Sequence, residues 1–211
     1  FRRIFLRIYQ MQNSNKIFVF FISLLVFLCV FYLFRSNENK IRRVKEKISL
    51  EHLLKKSKIK LTQNQKKQIT CLATNVYFEA RNQGLKAKVA VALTTLNRMR
   101  LPEFPSTICK VVREGPVYAY KKSLPRRHKC QFSWYCDGKS DEIQLANPKE
   151  KKAWESCFKI SRSLYFIRSE FVDFTNGATH YHADYVIPRW ASDKNILFLE
   201  KFGTHLFYKY K

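Results

Sequence analysis

Apolar and polar positions sort this chain into four stretches. Residues 17–34, "IFVFFISLLVFLCVFYLF", carry no charge and are bounded by Lys16 and Arg35; at about 1.5 Å per helical residue they would span roughly 27 Å, close to a bilayer core. The pattern predicts a single transmembrane anchor. A cleaved signal peptide is the alternative, but such peptides have apolar cores of roughly 7–15 residues, and no small-x-small cleavage site follows this run. Residues 1–16 read as a basic N-terminal tail. Residues 35–61 are again basic, with Ile41, Val44, Ile48 and Leu54 near helical spacing, and read as a helical tether. The folded domain is expected over residues 62–211.

That domain opens on "LTQNQ", where Thr62 as N-cap and Gln65 three residues on make a capping box, with Leu61 placed as a staple residue. A helix is predicted from there to about Asn82. Ile69, Leu72, Ala73, Val76 and Ala80 share one face of it, and Glu79 falls at the edge of that face. A second helix, about Lys86 to Arg98, is apolar nearly all round and is expected to be central. A third opens at Asn147 as N-cap with Pro148 at the first helical position and runs to about Tyr165. Residues 101–146, rich in Pro, Gly and charge, read as loop or short strand. Two β-prone runs flanking Asn176-Gly177 predict a hairpin there. The fold class is therefore α+β, a mainly helical domain with a small antiparallel sheet.

The charge adds a partner class without choosing its member. Lys and Arg number 40 against 16 Asp and Glu, a formal charge of +24, which predicts attraction to a polyanion such as nucleic acid, anionic lipid or an acidic wall polymer. Five cysteines follow the apolar run: Cys71, Cys109, Cys130, Cys136 and Cys157. Outside the cytoplasm four of them would pair, in any of three ways, leaving Cys157 as the candidate odd thiol. The Cys130 to Cys136 spacing does not suit zinc. His180, His182 and His205 lack a close third ligand pattern and read better as cleft or packing residues, so neither metal nor cofactor is expected.

The segments "NVYFEAR", "AVALTTLNR", "STICKVV", "CQFSWYCDGKSD", "TNGATHYHADYVIPRW" and "FGTHLFY", in that order, resemble the SleB-type cell wall hydrolase family over about residues 66–209. The resemblance implies a lysozyme-like fold and cleavage of the peptidoglycan glycan strand between N-acetylmuramic acid and N-acetylglucosamine, by a lytic transglycosylase route that leaves a 1,6-anhydro sugar. It implies that Glu79, of the E-A-R motif, is the catalytic acid. An acid at the rim of an apolar face agrees, since desolvation disfavours its ionised form; without the motif context, Glu79 would read as a surface acid paired with Arg81. The matching motifs also imply that Gln131, Phe132, Ser133, Trp134, Thr175, Gly177, His180, Tyr181 and Trp190 line the substrate cleft, with Arg81, Asn97, Arg98 and His205 in support. Trp134 and Trp190 read equally as core or as sugar platforms.

An ordinary glycosidase needs a second carboxylate, and Asp137, Asp173 and Asp184, in or beside the motifs, read as turn or solvated residues. The basic insertion "YAYKKSLPRRHK", residues 118–129, sits where a flap beside the cleft would be. A wall substrate places the domain on the outer side of the cytoplasmic membrane, whereas the more basic flank after the anchor argues for the cytoplasm. A muramidase, an amidase or peptidase, and a membrane-tethered nucleic-acid binder are the rival readings; no specific nucleic acid is expected, and no protein partner is indicated.

Overall fold

The computed structural model describes residues 24, 25, 27–38, 40 and 60–211. The predicted tail 1–16, the first part of the predicted anchor and most of the predicted tether lie outside the described residues. The chain divides into two units, Phe1–Ile48 and Ser49–Lys211, each taken by itself. In the first, the described residues form a helix, α1 (24, 25, 27–38 and 40), whose apolar side chains are bare, Phe27 and Tyr32 being 67% and 73% exposed. Among the described residues no helix is long and apolar enough to cross a membrane.

The second unit is helical with two small sheets. Helix α2 (Gln63–Ala80) begins with the capping box: the Thr62 hydroxyl accepts from the Gln65 amide, and the Gln65 side chain accepts from the Thr62 amide. All five residues assigned to its apolar face are buried, but so are Cys71, Asn75 and Tyr77, because the helix is covered on more than one side. Helix α3 (Leu85–Arg100) is buried without a break from Val89 to Arg98, the outcome expected of a segment apolar all round. Helix α5 (Pro148–Ile167) starts from the Asn147 cap and outruns its predicted end by two residues.

Two expectations are corrected. The loop at 101–146 contains a short helix, α4 (Ile108–Val112), capped by the Thr107 hydroxyl. Its Ile108, Val111 and Val112 are buried, and Cys109 is disulfide-bonded to Cys71 of α2. One turn is too short for periodicity to reveal, and tertiary burial stabilises it. The predicted hairpin at Asn176-Gly177 is absent. Asn176 and Gly177 do take positive φ (55° and 78°), but the Asp173 carboxylate captures the segment. It accepts from the Thr175 amide (2.8 Å), the Thr175 hydroxyl (2.5 Å), the Gly177 amide (3.1 Å) and Asn97 Nδ2 (2.8 Å). With the Thr175 and Gly177 amides bonded to Asp173, the chain turns here, and the run before the turn forms no strand.

Only the run after that turn becomes a strand, β3 (His180–Ala183), and it pairs antiparallel with β5 (His205–Tyr210). The true hairpin joins β4 (Ile196–Phe202) to β5 through Gly203 at φ 60°, giving the order β3-β5-β4. A second, two-stranded sheet pairs β1 (Val117–Tyr118) with β2 (Lys121–Pro125). The disulfides are Cys71–Cys109 and Cys130–Cys136, and Cys157 is free and buried, its thiol pushed up to about 11 mainly by burial.

Asp173→Ala should destabilise the domain by about 2–4 kcal/mol in urea unfolding, since it strands several donors whose bonds to a charged acceptor are worth about 1.5–3 kcal/mol each. Asp173→Asn, keeping one acceptor oxygen, should lose about half as much. Equal, small losses from both would show that the loop is held by its apolar neighbours instead.

Candidate active site

Asn75 stands out on α2 as a fully buried amide. Its Nδ2 donates to the Thr95 hydroxyl on α3 at 3.1 Å, and its Oδ1 accepts from Trp134 Nε1 at 2.9 Å. This fixes the indole over one turn of α2, where Phe78 stacks on it with ring centres 4.8 Å apart and planes at 19°. Glu79 follows Phe78 on the same turn and opens into a cavity of about 430 Å³.

The cavity is walled by three parts of the chain: the end of α2, the segment through Gln131, Phe132, Ser133 and Trp134, and strand β3 with the Trp190 turn behind it. Arg98, from the end of α3, reaches its floor. That guanidinium is 4% exposed; its Nε donates to the Thr179 carbonyl at 2.6 Å, and its plane is flanked by the Phe104 and Phe132 rings at 5.3 and 5.1 Å. Nη1 is buried without a partner. Glu114, whose Oε2 is likewise buried and unpartnered, lies near enough for mutual electrostatic influence.

Burial dominates the electrostatics. Glu79 is half-buried at the cavity wall, and loss of hydration pushes its carboxyl up to about 7, against the opposing pull of Tyr181 and Arg98. The Tyr181 hydroxyl lies close enough to Glu79 and Asn75 to influence both electrostatically, yet closes no hydrogen bond of good geometry with either. Burial lowers His180 to about 4, with Arg98 adding to the effect, so this imidazole is neutral at pH 7. Burial likewise lowers His205.

Nine of the expected residues meet in the cavity wall: Glu79, Arg98, Gln131, Phe132, Ser133, Trp134, Tyr181, Trp190 and His205. Five do not. Arg81 points to the α5 side, where its Nε lies 3.5 Å from Glu150 and its guanidinium covers the Tyr77 ring, while the Tyr77 hydroxyl donates to Glu150. Asn97 holds Asp173 and the Ala178 carbonyl. Thr175 is buried against Asp173, and Gly177 and His180 border a separate hollow with Phe104 and Tyr210. These five follow the chain beside the cleft and brace it from behind.

Residues not anticipated include Phe78, Asn75 and Glu114; His182, expected as a cleft or packing residue, is in the wall, and its Nε2 meets the Tyr208 hydroxyl at 3.0 Å. Neither Asn75, which lies off the predicted apolar face, nor Glu114 carried a local signal. Of the other acids, Asp137 caps a turn through the Lys139 amide and Asp184 pairs with Lys201 at 2.7 Å. No group of residues suited to a metal occurs among the described residues.

A family model described as Cell Wall Hydrolase matches residues 82–208, opening three residues past Glu79. The crystal structure of the catalytic domain of the Bacillus cereus SleB protein is similar at 27% identity, over 72% of this chain and 94% of that chain, with a TM-score of 0.44. No curated protein matches the chain.

A carboxyl raised from 4.5 to about 7 by burial stabilises the fold in its protonated form. That contribution is complete below about pH 4.5 and is lost as the pH rises through about 7. Glu79→Gln, which mimics the protonated form, should therefore raise the melting temperature relative to the parent more at pH 8 than at pH 5. A pH-independent difference would place the carboxyl in water.

Proposed function

The chain belongs to the cell wall hydrolase family, whose substrate is peptidoglycan, and from that premise we propose that it cuts the glycan strand as a lytic transglycosylase with Glu79 as sole acid and base. One observation carries this reading: Glu79 is the single carboxylate in the cavity wall among the described residues, and its surroundings hold a proton on it near neutral pH. Inverting and ordinary retaining hydrolysis each require a second carboxylate across the sugar. A single-acid route does not.

Protonated Glu79 donates to the glycosidic oxygen as the bond from that oxygen to C1 of N-acetylmuramic acid breaks. The substrate's own N-acetyl oxygen supports the positive charge at C1. Glu79, now a carboxylate, accepts the proton of the muramic acid 6-hydroxyl as that oxygen bonds to C1, which closes the 1,6-anhydro ring and restores the acid. The desolvation of Glu79 favours the first step. Arg98, whose charge opposes the rise in the Glu79 pKa, favours the intervening carboxylate. Trp134 and Trp190 supply rings against which apolar sugar faces stack.

The cysteine peptidase rival lacks a nucleophile in this wall: Cys130, which borders it, is disulfide-bonded, and Cys157 is buried elsewhere with a raised thiol pKa. Two disulfides suit an oxidising compartment. They accord with an anchor at 17–34 that holds the domain on the outer side of the cytoplasmic membrane.

Mass spectrometry of purified peptidoglycan digested by the chain should show anhydro-muropeptides, and the Glu79→Gln variant should show none. Reducing ends without the anhydro sugar would mean a muramidase, and freed peptides on intact glycan would mean an amidase or peptidase. The kcat/KM of the parent should fall as the pH rises through about 7, as the proton leaves Glu79. Deletion of residues 17–34 should release the chain from carbonate-washed membranes; retention would remove the anchor from the account.

A further inference from the structure

The β1–β2 hairpin has no structural reason to be as it is. Residues 121–124 of β2 are exposed on both faces, whereas a strand in a small sheet ordinarily buries one. Between Gly115 and Cys136 there are five Lys or Arg residues and no Asp or Glu. Arg127 has a local task, donating from Nε to the Asp137 carbonyl at 3.3 Å. Lys121, Lys122, Arg126 and Lys129 are exposed, and among the described residues their side chains make no hydrogen bond or ion pair. Four unpaired cations on one hairpin repel one another, a cost that burial here does nothing to offset.

The hairpin is also fastened to the cleft. Its outgoing strand leaves from Glu114, whose carbonyl accepts from the Gln131 amide at 2.9 Å, and Pro116 accepts from the Arg126 amide at 2.8 Å. Gly115 packs so tightly on Cys130 that an added Cβ would lie 2.9 Å from its Cα, and Cys130 is itself held to Cys136 by a disulfide. Cys130 and Gln131 are themselves cavity wall. At about 3.3–3.6 Å per extended residue, Lys129 stands within roughly 7 Å of Gln131, inside the Debye length of about 8 Å at physiological salt. At the other end the Tyr118 and Tyr120 rings, 5.2 Å apart, brace the turn.

We propose that this hairpin binds the carboxylates of the stem peptides carried by the glycan in the cleft, and so directs the enzyme to strands that still bear stems. The inference rests on the glycan-cleaving reading above. A strand lying in the cavity projects its stems outward past the rim, and the free α- and side-chain carboxylates of an acidic peptide match the exposed Lys121 and Lys122 of β2 and the Arg126 and Lys129 that follow it. An anionic membrane would match the charge as well, but a lipid-facing element gains nothing from being held to the cleft wall by the Glu114–Gln131 backbone hydrogen bond and the packing of Gly115 on Cys130.

The test is binding of the full chain carrying Glu79→Gln, so that nothing is digested, to beads bearing uncross-linked glycan strands with their stems and to beads bearing the same strands stripped by an amidase, which keep only the lactyl carboxylate of each muramic acid. A second protein adds Lys121→Ser, Lys122→Ser, Arg126→Ser and Lys129→Ser, all exposed positions. The first protein should prefer intact over stripped glycan by roughly tenfold at moderate salt, with the preference shrinking as salt rises; the second should show no preference and bind stripped glycan unchanged. Equal binding of both glycans by the first protein overturns the inference, as does a preference that survives the four substitutions. Loss of binding to phosphatidylglycerol vesicles with the glycan preference intact would assign the hairpin to the membrane and overturn it too. Failure of the glycan-cleaving reading is seen separately, as absence of glycan products from the parent.

Discussion

A guanidinium taken out of water costs several kcal/mol even after the protein relaxes around it, so its surroundings must be arranged to hold it. Arg98 imposes that requirement at the end of the central helix. The Thr179 carbonyl takes its Nε, the Phe104 and Phe132 rings take its faces, and Glu79, Tyr181 and Glu114 supply the field. The partners come from several parts of the chain. Placing one cation thereby brings the end of α2, the segment after α4, the loop before β3 and β3 itself around a single cavity.

Glu79 gains its chemistry from the same enclosure. An exposed glutamate beside a cation would ionise more readily than in water. Here the loss of hydration outweighs the cation and the tyrosine together, and the proton stays on to about pH 7. The two opposed influences suit an acid that must later act as a base: burial favours donation, and Arg98 limits how strongly the carboxyl then holds the proton it recovers. The support behind the cleft is kept apart from this balance. Asp173 and Asn97 secure the loop that presents Thr179, while Arg81, Tyr77 and Glu150 join α2 to α5 on the other side.

The cleft is asymmetric in charge. Its interior sets one acid and one buried cation among aromatic and polar side chains, and the β1–β2 hairpin beside it is basic and exposed at Lys121 and Lys122. A neutral sugar chain with acidic appendages has the same division.

Local patterns spoke clearly wherever a residue's role depends on near neighbours in the chain. The capping box at Thr62, the Asn147-Pro148 helix start and the all-apolar central helix are interactions within a few residues, so they were legible and hold in the fold. Glu79 at the edge of an apolar face was legible for the same reason. The Asn176-Gly177 turn was misread because its outcome depends on Asp173 and, through Asn97, on a helix some eighty residues away. Which cysteines pair, which expected residues line the cleft and which stand behind it, and how far the Glu79 proton is stabilised were likewise not written locally. Disulfide partners, cavity walls and desolvation are set by what lies across space from a residue, and only the packing of helices, loop and sheet against one another brings those groups together.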